Sequence, residues 1–197
     1  MKLNDVGIFF DRDGTINVDA DYLSDPDDLE LIPGAAEAIR DANRLGVRAF
    51  VITNQSGVAR GLYSEEDVRA VHQRLIRLLA RDGAHIDAFY YCPHHPEYGE
   101  APYRRVCSCR KPKTGMLLQA QMEFGINLAS SFVVGDKCTD LQAGRAAACG
   151  TVLVLTGYGA IEVEECRKAG TVDLVARDIL EAWGAIRGRI EKRHIKA

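Results

Sequence analysis

The chain has 197 residues, 47% apolar and 27% charged, with a net charge of −3. That length suits one ordinary domain with a sizeable core, and the composition excludes a disordered chain. The near-neutral balance excludes a broad basic field for nucleic acid or anionic lipid, and no apolar run approaches the ~20 residues of a membrane helix.

The first apolar run, "VGIFF" at 6–10, reads as a buried strand, and is too short for the core of an export signal. The expectation is therefore a cytoplasmic protein with no membrane and no nucleic-acid partner. The strand ends in "DRDGT", two acids one residue apart. Burying two like charges together is costly, so their presence calls for a chemical reason. Next, "AAEAIRDANRL" places Ala35, Ala38, Ile39, Ala42 and Leu45 at helical spacing. A second strand, 47–53, ends at Thr53 and Asn54. A helix begins at Ser64, an N-cap followed by acids that suit the helix dipole, with Val68, Val71, Leu75, Leu78 and Leu79 on one face.

Further strands are expected at 86–91, 131–135, 151–155 and, weakly, 172–176. Gly46, Gly83, Gly125, Gly150 and Gly170 each close a helical pattern ahead of a strand. Repeated helix–Gly–strand units predict an α/β fold, a doubly wound, mostly parallel sheet with helices on both faces. One domain is expected over 1–197. In such sheets ligands bind where strands deliver their carboxyl ends, which gathers Asp11, Asp13, Thr53, Asn54, Arg110, Lys111, Asp136 and Lys137 on one edge.

Those residues suit phosphoryl transfer. Asp11 can attack phosphorus, and Asp13 can protonate the leaving oxygen and later activate water. Gly14 allows a sharp turn. Mg²⁺ would offset the crowded charge, with Asp136 completing its site and Asp140 supporting it. Lys111 or Lys137 would face the phosphoryl oxygens, and Thr53 would donate to them.

The segment 92–113 is long for a connection and rich in proline, with little apolar content. It carries Cys92, His94, Cys107 and Cys109, a closed set of the kind that holds structural Zn²⁺. Spacing alone leaves His95 as an alternative to His94. A metal would supply folding energy that this loop cannot draw from a core, and would fix Arg110 and Lys111, which follow directly. The remaining cysteines, Cys138, Cys149 and Cys166, read as buried or half-buried thiols.

"DRDGT", a threonine at a second strand end, a later lysine and "GDKCTD" together resemble the four motifs of the haloacid dehalogenase superfamily. "FDRDGTINVD", "TNQSGVARG", "YYCPHHP", "CSCRKPKTGMLLQA" and "VVGDK" look closer still to its branch acting on heptose bisphosphates, from about residue 6 to about 158. The resemblance implies the Rossmann-like fold of that superfamily without a large cap domain, and a zinc loop at 92–110. It implies Asp11 as nucleophile, Asp13 as general acid/base, and Thr53 and Lys111 as phosphoryl stabilisers. Mg²⁺ would be held by Asp11, the Asp13 carbonyl and Asp136, with Lys137 alongside. Zn²⁺ would be held by Cys92, His94, Cys107 and Cys109.

Substrate contacts would fall on Asp19, Ala20, Asp21, Tyr22, Asn54, Gln55, Ser56 and Arg110, with Arg60 a weaker candidate. Arg110 would meet the second phosphate of a small sugar bisphosphate, in the supply of surface-glycan precursors. Histidinol phosphate is the alternative substrate. The twelve residues between His94 and Cys107 favour the heptose reading. A phospho-aspartate receiver would need neither Asp13 nor the zinc loop, and a zinc-dependent interaction module would need no nucleophile. The site should be open, roofed by 16–32, 54–63 and the zinc loop. A monomer is expected.

Overall fold

The computed structural model describes residues 3–195. Six strands, β1 (Gly7–Phe10), β2 (Arg48–Asn54), β3 (Ala88–Cys92), β4 (Phe132–Gly135), β5 (Gly150–Val154) and β6 (Leu174–Ala176), form one sheet in the order β3-β2-β1-β4-β5-β6. Every pairing is parallel. Six α-helices alternate with the strands: α1 (Ala35–Arg44), α2 (Glu65–Arg81), α3 (Gly115–Phe124), α4 (Cys138–Ala146), α5 (Gly159–Lys168) and α6 (Ile179–Ile195). The doubly wound sheet expected from the alternation is present, and all six strands fall where the apolar runs put them.

The sheet is covered on both faces, so its central strands β1 and β4 are buried throughout. Ile8 and Phe10 pack with α1, α2 and α6, while Phe9 points the other way into α3. This alternation explains why β1 is apolar at every position. The α2 start is as expected. Ser64 accepts from the Asp67 N–H, and Asp67 accepts from the Ser64 N–H, closing a capping box.

Gly46, Gly83, Gly125 and Gly170 take left-handed backbone after their helices. Gly150 does not: Ala148 takes that conformation, with φ of 61°, and Gly150 opens β5. Gly150 is there because the Phe132 ring lies beside it. A Cβ would fall 2.6 Å from that ring.

A second correction concerns the scattered cysteines. Cys149 is a buried free thiol, but Cys138 and Cys166 form a disulfide between the start of α4 and the end of α5. Both helices pack over β5, which brings the two Cα atoms to 5.2 Å across a sequence separation of 28. No helix among the described residues is long and apolar enough to cross a membrane.

Candidate active site

The strand order reverses direction at β1, and the crevice beyond the carboxyl ends of β1, β2 and β4 is the natural ligand site of such a sheet. A cleft of about 330 Å³ lies there. Its lining draws on Asp13, Asp19, Asp21 and Tyr22 after β1, and on Asn54, Gln55, Ser56 and Tyr63 around the β2 end. Arg110 and Lys111 join from the cysteine loop, Lys137 and Thr139 from the start of α4, and Tyr158 from the loop after β5. All three expected roofing segments contribute, and Ala20 is exposed outside the lining.

Asp11 lies buried behind the lining residue Lys111, its N–H bonded to the Val134 carbonyl. Lys111 reaches it from a hundred residues away. The Lys111 Nζ donates to Asp11 Oδ1 at 2.8 Å and to the Ile52 carbonyl at 2.8 Å, and lies 2.6 Å from Asp140 Oδ1. One buried cation thus serves two carboxylates, and Asp140 supports the site through the lysine. Burial opposes the charge on Lys111, but Asp11 and Asp140 outweigh it and hold its pKa above the ordinary value. Asn54 clamps the lysine from behind. Its amide donates to the Lys111 carbonyl at 3.1 Å, and its oxygen accepts the Lys111 N–H at 3.0 Å.

Asp13 is treated differently. The Arg12 Nε and Nη2 donate to its two oxygens at 3.1 and 2.9 Å. The Asn17 and Gln55 amides add bonds of 2.9 and 3.0 Å. Burial pushes the Asp13 pKa up, yet the Arg12 charge and these four bonds win and hold it below the usual range. Asp11, by contrast, is pushed up to about 6, because burial and the Asp140 charge outweigh Lys111. Two carboxylates two residues apart therefore have opposite proton affinities.

Gln55 is wired into this arrangement. It donates to Thr53 Oγ1 at 2.8 Å and accepts from the Tyr63 hydroxyl at 2.7 Å.

Asp136 is fully buried between two glycines. Its Oδ2 accepts the Tyr158 N–H at 2.9 Å, and a Cβ on either Gly14 or Gly157 would fall 2.3 Å from that oxygen. Its Oδ1 is buried with no hydrogen-bond partner. Burial, then the Asp11 and Asp140 charges, push its pKa up to about 8. Oxygens of Asp11, Asp136 and Asp140 lie within 4.8 Å of one another. Asp140 is already used by Lys111 and by the Lys137 N–H, which leaves Asp136 Oδ1 and Asp11 facing the gap. A hard cation with oxygen ligands fits this donor set and its orphaned buried oxygen.

Cys92, His94, Cys107 and Cys109 also converge. The sulfur pairs lie 3.1, 3.3 and 3.5 Å apart, and His94 Nδ1 is 3.7 and 3.4 Å from Cys92 and Cys109. Zn–S bonds of about 2.3 Å set tetrahedral sulfurs about 3.8 Å apart, so a slight expansion of this set would accommodate zinc. His95 is elsewhere, its Nδ1 accepting from the Glu97 and Tyr98 N–H groups. Arg105 lies 2.8 Å from His94 Nε2. A metal on Nδ1 would leave Nε2 carrying hydrogen, so Arg105 would have to turn away. Arg110 donates to the His94 carbonyl at 3.3 Å, which ties the cleft's cation to the cysteine cluster.

At the rim, Lys137 bridges to Asp19 at 3.2 Å and sits 4.4 Å from the Tyr158 ring centre. Asp21 and Tyr22 both take positive φ, 43° and 64°, and project over the cleft. Arg60 is outside the lining, stacked 3.7 Å over the Tyr98 ring. Sequence reading missed Arg12, Asn17, Tyr63, Thr139, Gly157 and Tyr158. The last two had a signal: "TGYG" ends the β5 apolar run, and Thr156 there donates to the Gly14 carbonyl at 2.6 Å. The others acquire their contacts with the site only through folding.

A buried lysine between acids at the switch point of a doubly wound sheet suits phosphoryl transfer, and together with the relatives below it places the chain among the phosphoric monoester hydrolases of the haloacid dehalogenase type. A family model described as HAD-hydrolase-like matches residues 108–182. The D-glycero-beta-D-manno-heptose-1,7-bisphosphate 7-phosphatase of Photorhabdus laumondii is 46% identical over 151 residues, 76% of this chain and 80% of that protein. The protein of that name from Vibrio cholerae is 43% identical over 173 residues, 87% and 92% of the two chains. The crystal structure of D,D-heptose 1,7-bisphosphate phosphatase from B. bronchiseptica, complexed with magnesium and phosphate, superposes with a TM-score of 0.80 at 33% identity, covering 93% of this chain and 99% of that one. The chain belongs to the heptose-1,7-bisphosphate phosphatase family of the haloacid dehalogenase superfamily.

Proposed function

We propose that the protein removes the C7 phosphate of D-glycero-D-manno-heptose 1,7-bisphosphate through an aspartyl-phosphate on Asp11. The observation that carries this reading is the contrast between two neighbouring acids: Asp11 buried and paired with Lys111, and Asp13 held ionised in the cleft lining beside it. The names of the relatives support the substrate.

Asp11 attacks phosphorus while Lys111 stabilises charge on the transferring oxygens. An anionic phosphoryl group arriving beside Asp13 raises its proton affinity, so it takes up a proton. The P–O bond to the sugar breaks as Asp13 gives that proton to the leaving oxygen. Asp13, now a carboxylate again, takes a proton from water, whose oxygen attacks phosphorus. The Asp11–phosphorus bond breaks, phosphate leaves with the proton that Asp13 took from water, and both carboxylates are restored.

Mg²⁺, held by Asp11, the Asp13 carbonyl and Asp136, would neutralise charge shared by carboxylate and phosphate. Zn²⁺ on Cys92, His94, Cys107 and Cys109 would be structural, steadying Arg110 against the second phosphate. The product would feed surface-glycan precursor synthesis. Phosphate release with Mg²⁺ tests the assignment, comparing both anomers of the heptose bisphosphate, fructose 1,6-bisphosphate and histidinol phosphate. Preference for a heptose bisphosphate is expected, and preference for histidinol phosphate would overturn the assignment.

A further inference from the structure

Arg12 stands between the two acids and does not itself line the cleft, but it bonds to Asp13, which does. It is the largest fully buried side chain, at 0% exposure. Consecutive residues in extended backbone point to opposite sides, so a bidentate bond from Arg12 to Asp13 needs a special turn. The chain supplies one: the Arg12 carbonyl accepts the N–H groups of Thr15, Ile16 and Asn17 at 3.4, 2.9 and 3.1 Å. That turn folds the guanidinium back on its own neighbour.

An arginine buried only to complete a core would have all its donors satisfied. Here Nε and Nη2 both go to Asp13, and Nη1 is buried with no partner. The burial serves the Asp13 contact at the expense of full satisfaction. The planar fork fixes the plane of the carboxylate, which a point-charge lysine cannot do. A guanidinium also has no lone pair, so it cannot take the Asp13 proton itself.

We propose that Arg12 is a positioning residue whose fork sets the Asp13 carboxylate in the orientation that delivers a proton to the leaving oxygen. The proposal rests on the acid/base role given to Asp13 above. It separates from a purely structural role through the leaving group. A sugar alkoxide needs a proton as it departs, whereas a nitrophenolate does not. With nitrophenyl phosphate the first turnover bypasses Asp13, and only the later hydrolysis of the phospho-enzyme needs it.

The test is quench-flow on the Mg²⁺-loaded full chain, wild type against Arg12→Lys and Arg12→Met, with Asp13→Asn as reference. First turnover on heptose 1,7-bisphosphate should fall by on the order of 10²-fold in the Arg12 variants, the range of general acid catalysis. First turnover on nitrophenyl phosphate should stay within roughly fivefold, giving a burst followed by slow steady release. Equal loss on both substrates, or no loss on either, would overturn the proposal. So would loss of the cooperative thermal transition in both variants, which would assign Arg12 to folding. If Asp13→Asn itself shows no difference between the substrates, the acid/base reading fails instead, and Arg12 with it.

Discussion

Lys111 carries one positive charge against two buried carboxylates, and none of the three can return to water without opening the site. Lys111→Met should therefore remove nearly all turnover and cost about 3–5 kcal/mol of stability, as breaking a buried pair does. Urea unfolding measures the second effect. The carboxylates also set a pH dependence. Asp11 and Asp136 are raised to about 6 and about 8 from 3.8. The native state thus holds protons that the unfolded chain has released. Their contribution is fully present below pH 4 and is lost as pH rises through 6 and 8. Mg²⁺ would bind the ionised forms, so the rise in Tm with Mg²⁺ should be larger at pH 8 than at pH 6. Equal rises at the two values would count against these residues as its ligands. The acids were legible because each ends a strand. Arg12 was not, since its role depends on a turn that brings neighbours face to face.

Among the elements, α2 carries a buried histidine on its packed face. His72 lies 4.8 Å from the Phe89 ring, and burial, aided by the Arg12 charge, pushes its pKa down to about 3. It folds neutral, while the unfolded chain protonates it below about 6.5. This penalises the native state progressively as pH falls from 6.5 toward 3. His72→Phe should therefore lose about 2 kcal/mol less stability than wild type between pH 7 and pH 5. Denaturant midpoints at the two pH values measure the difference. Periodicity predicted the α2 face but not His72 within it, because a polar residue at that spacing can lie on either side of the boundary.

The cysteine loop is the other informative element. Gly99 within it lies so close to the 54–63 loop that a Cβ would fall 1.8 Å from the Ala59 carbonyl oxygen. One zinc per chain is expected by metal analysis. Cys107→Ala with Cys109→Ala should abolish it and raise KM for the bisphosphate by roughly tenfold, through loss of Arg110 support.

At the scale of the molecule, the disulfide joins two helices over one edge of the sheet. Cys138 directly follows Lys137 in the cleft wall, so the link also braces one side of the site. Closing a loop of 28 residues restricts the unfolded chain by about 3–4 kcal/mol. Reduction, or Cys166→Ser, should lower stability by that order, read as a shift in Tm with alkylation counting the freed thiols.

Local rules determined much of this protein from its sequence. Apolar runs placed all six strands, and the carboxyl-end rule gathered Asp11, Asp13, Thr53, Lys111 and Asp136 on one edge, because both depend on neighbours in the chain. Tertiary structure alone decided which side chains touch. It joined Cys138 to Cys166, set Ala148 rather than Gly150 in the left-handed turn, tied Asn54 of the cleft lining to the Lys111 backbone, and gave Asp13 a buried arginine. Those outcomes depend on contacts between distant segments or on the folding back of a side chain. Composition and period describe a chain along its length and carry no information about either.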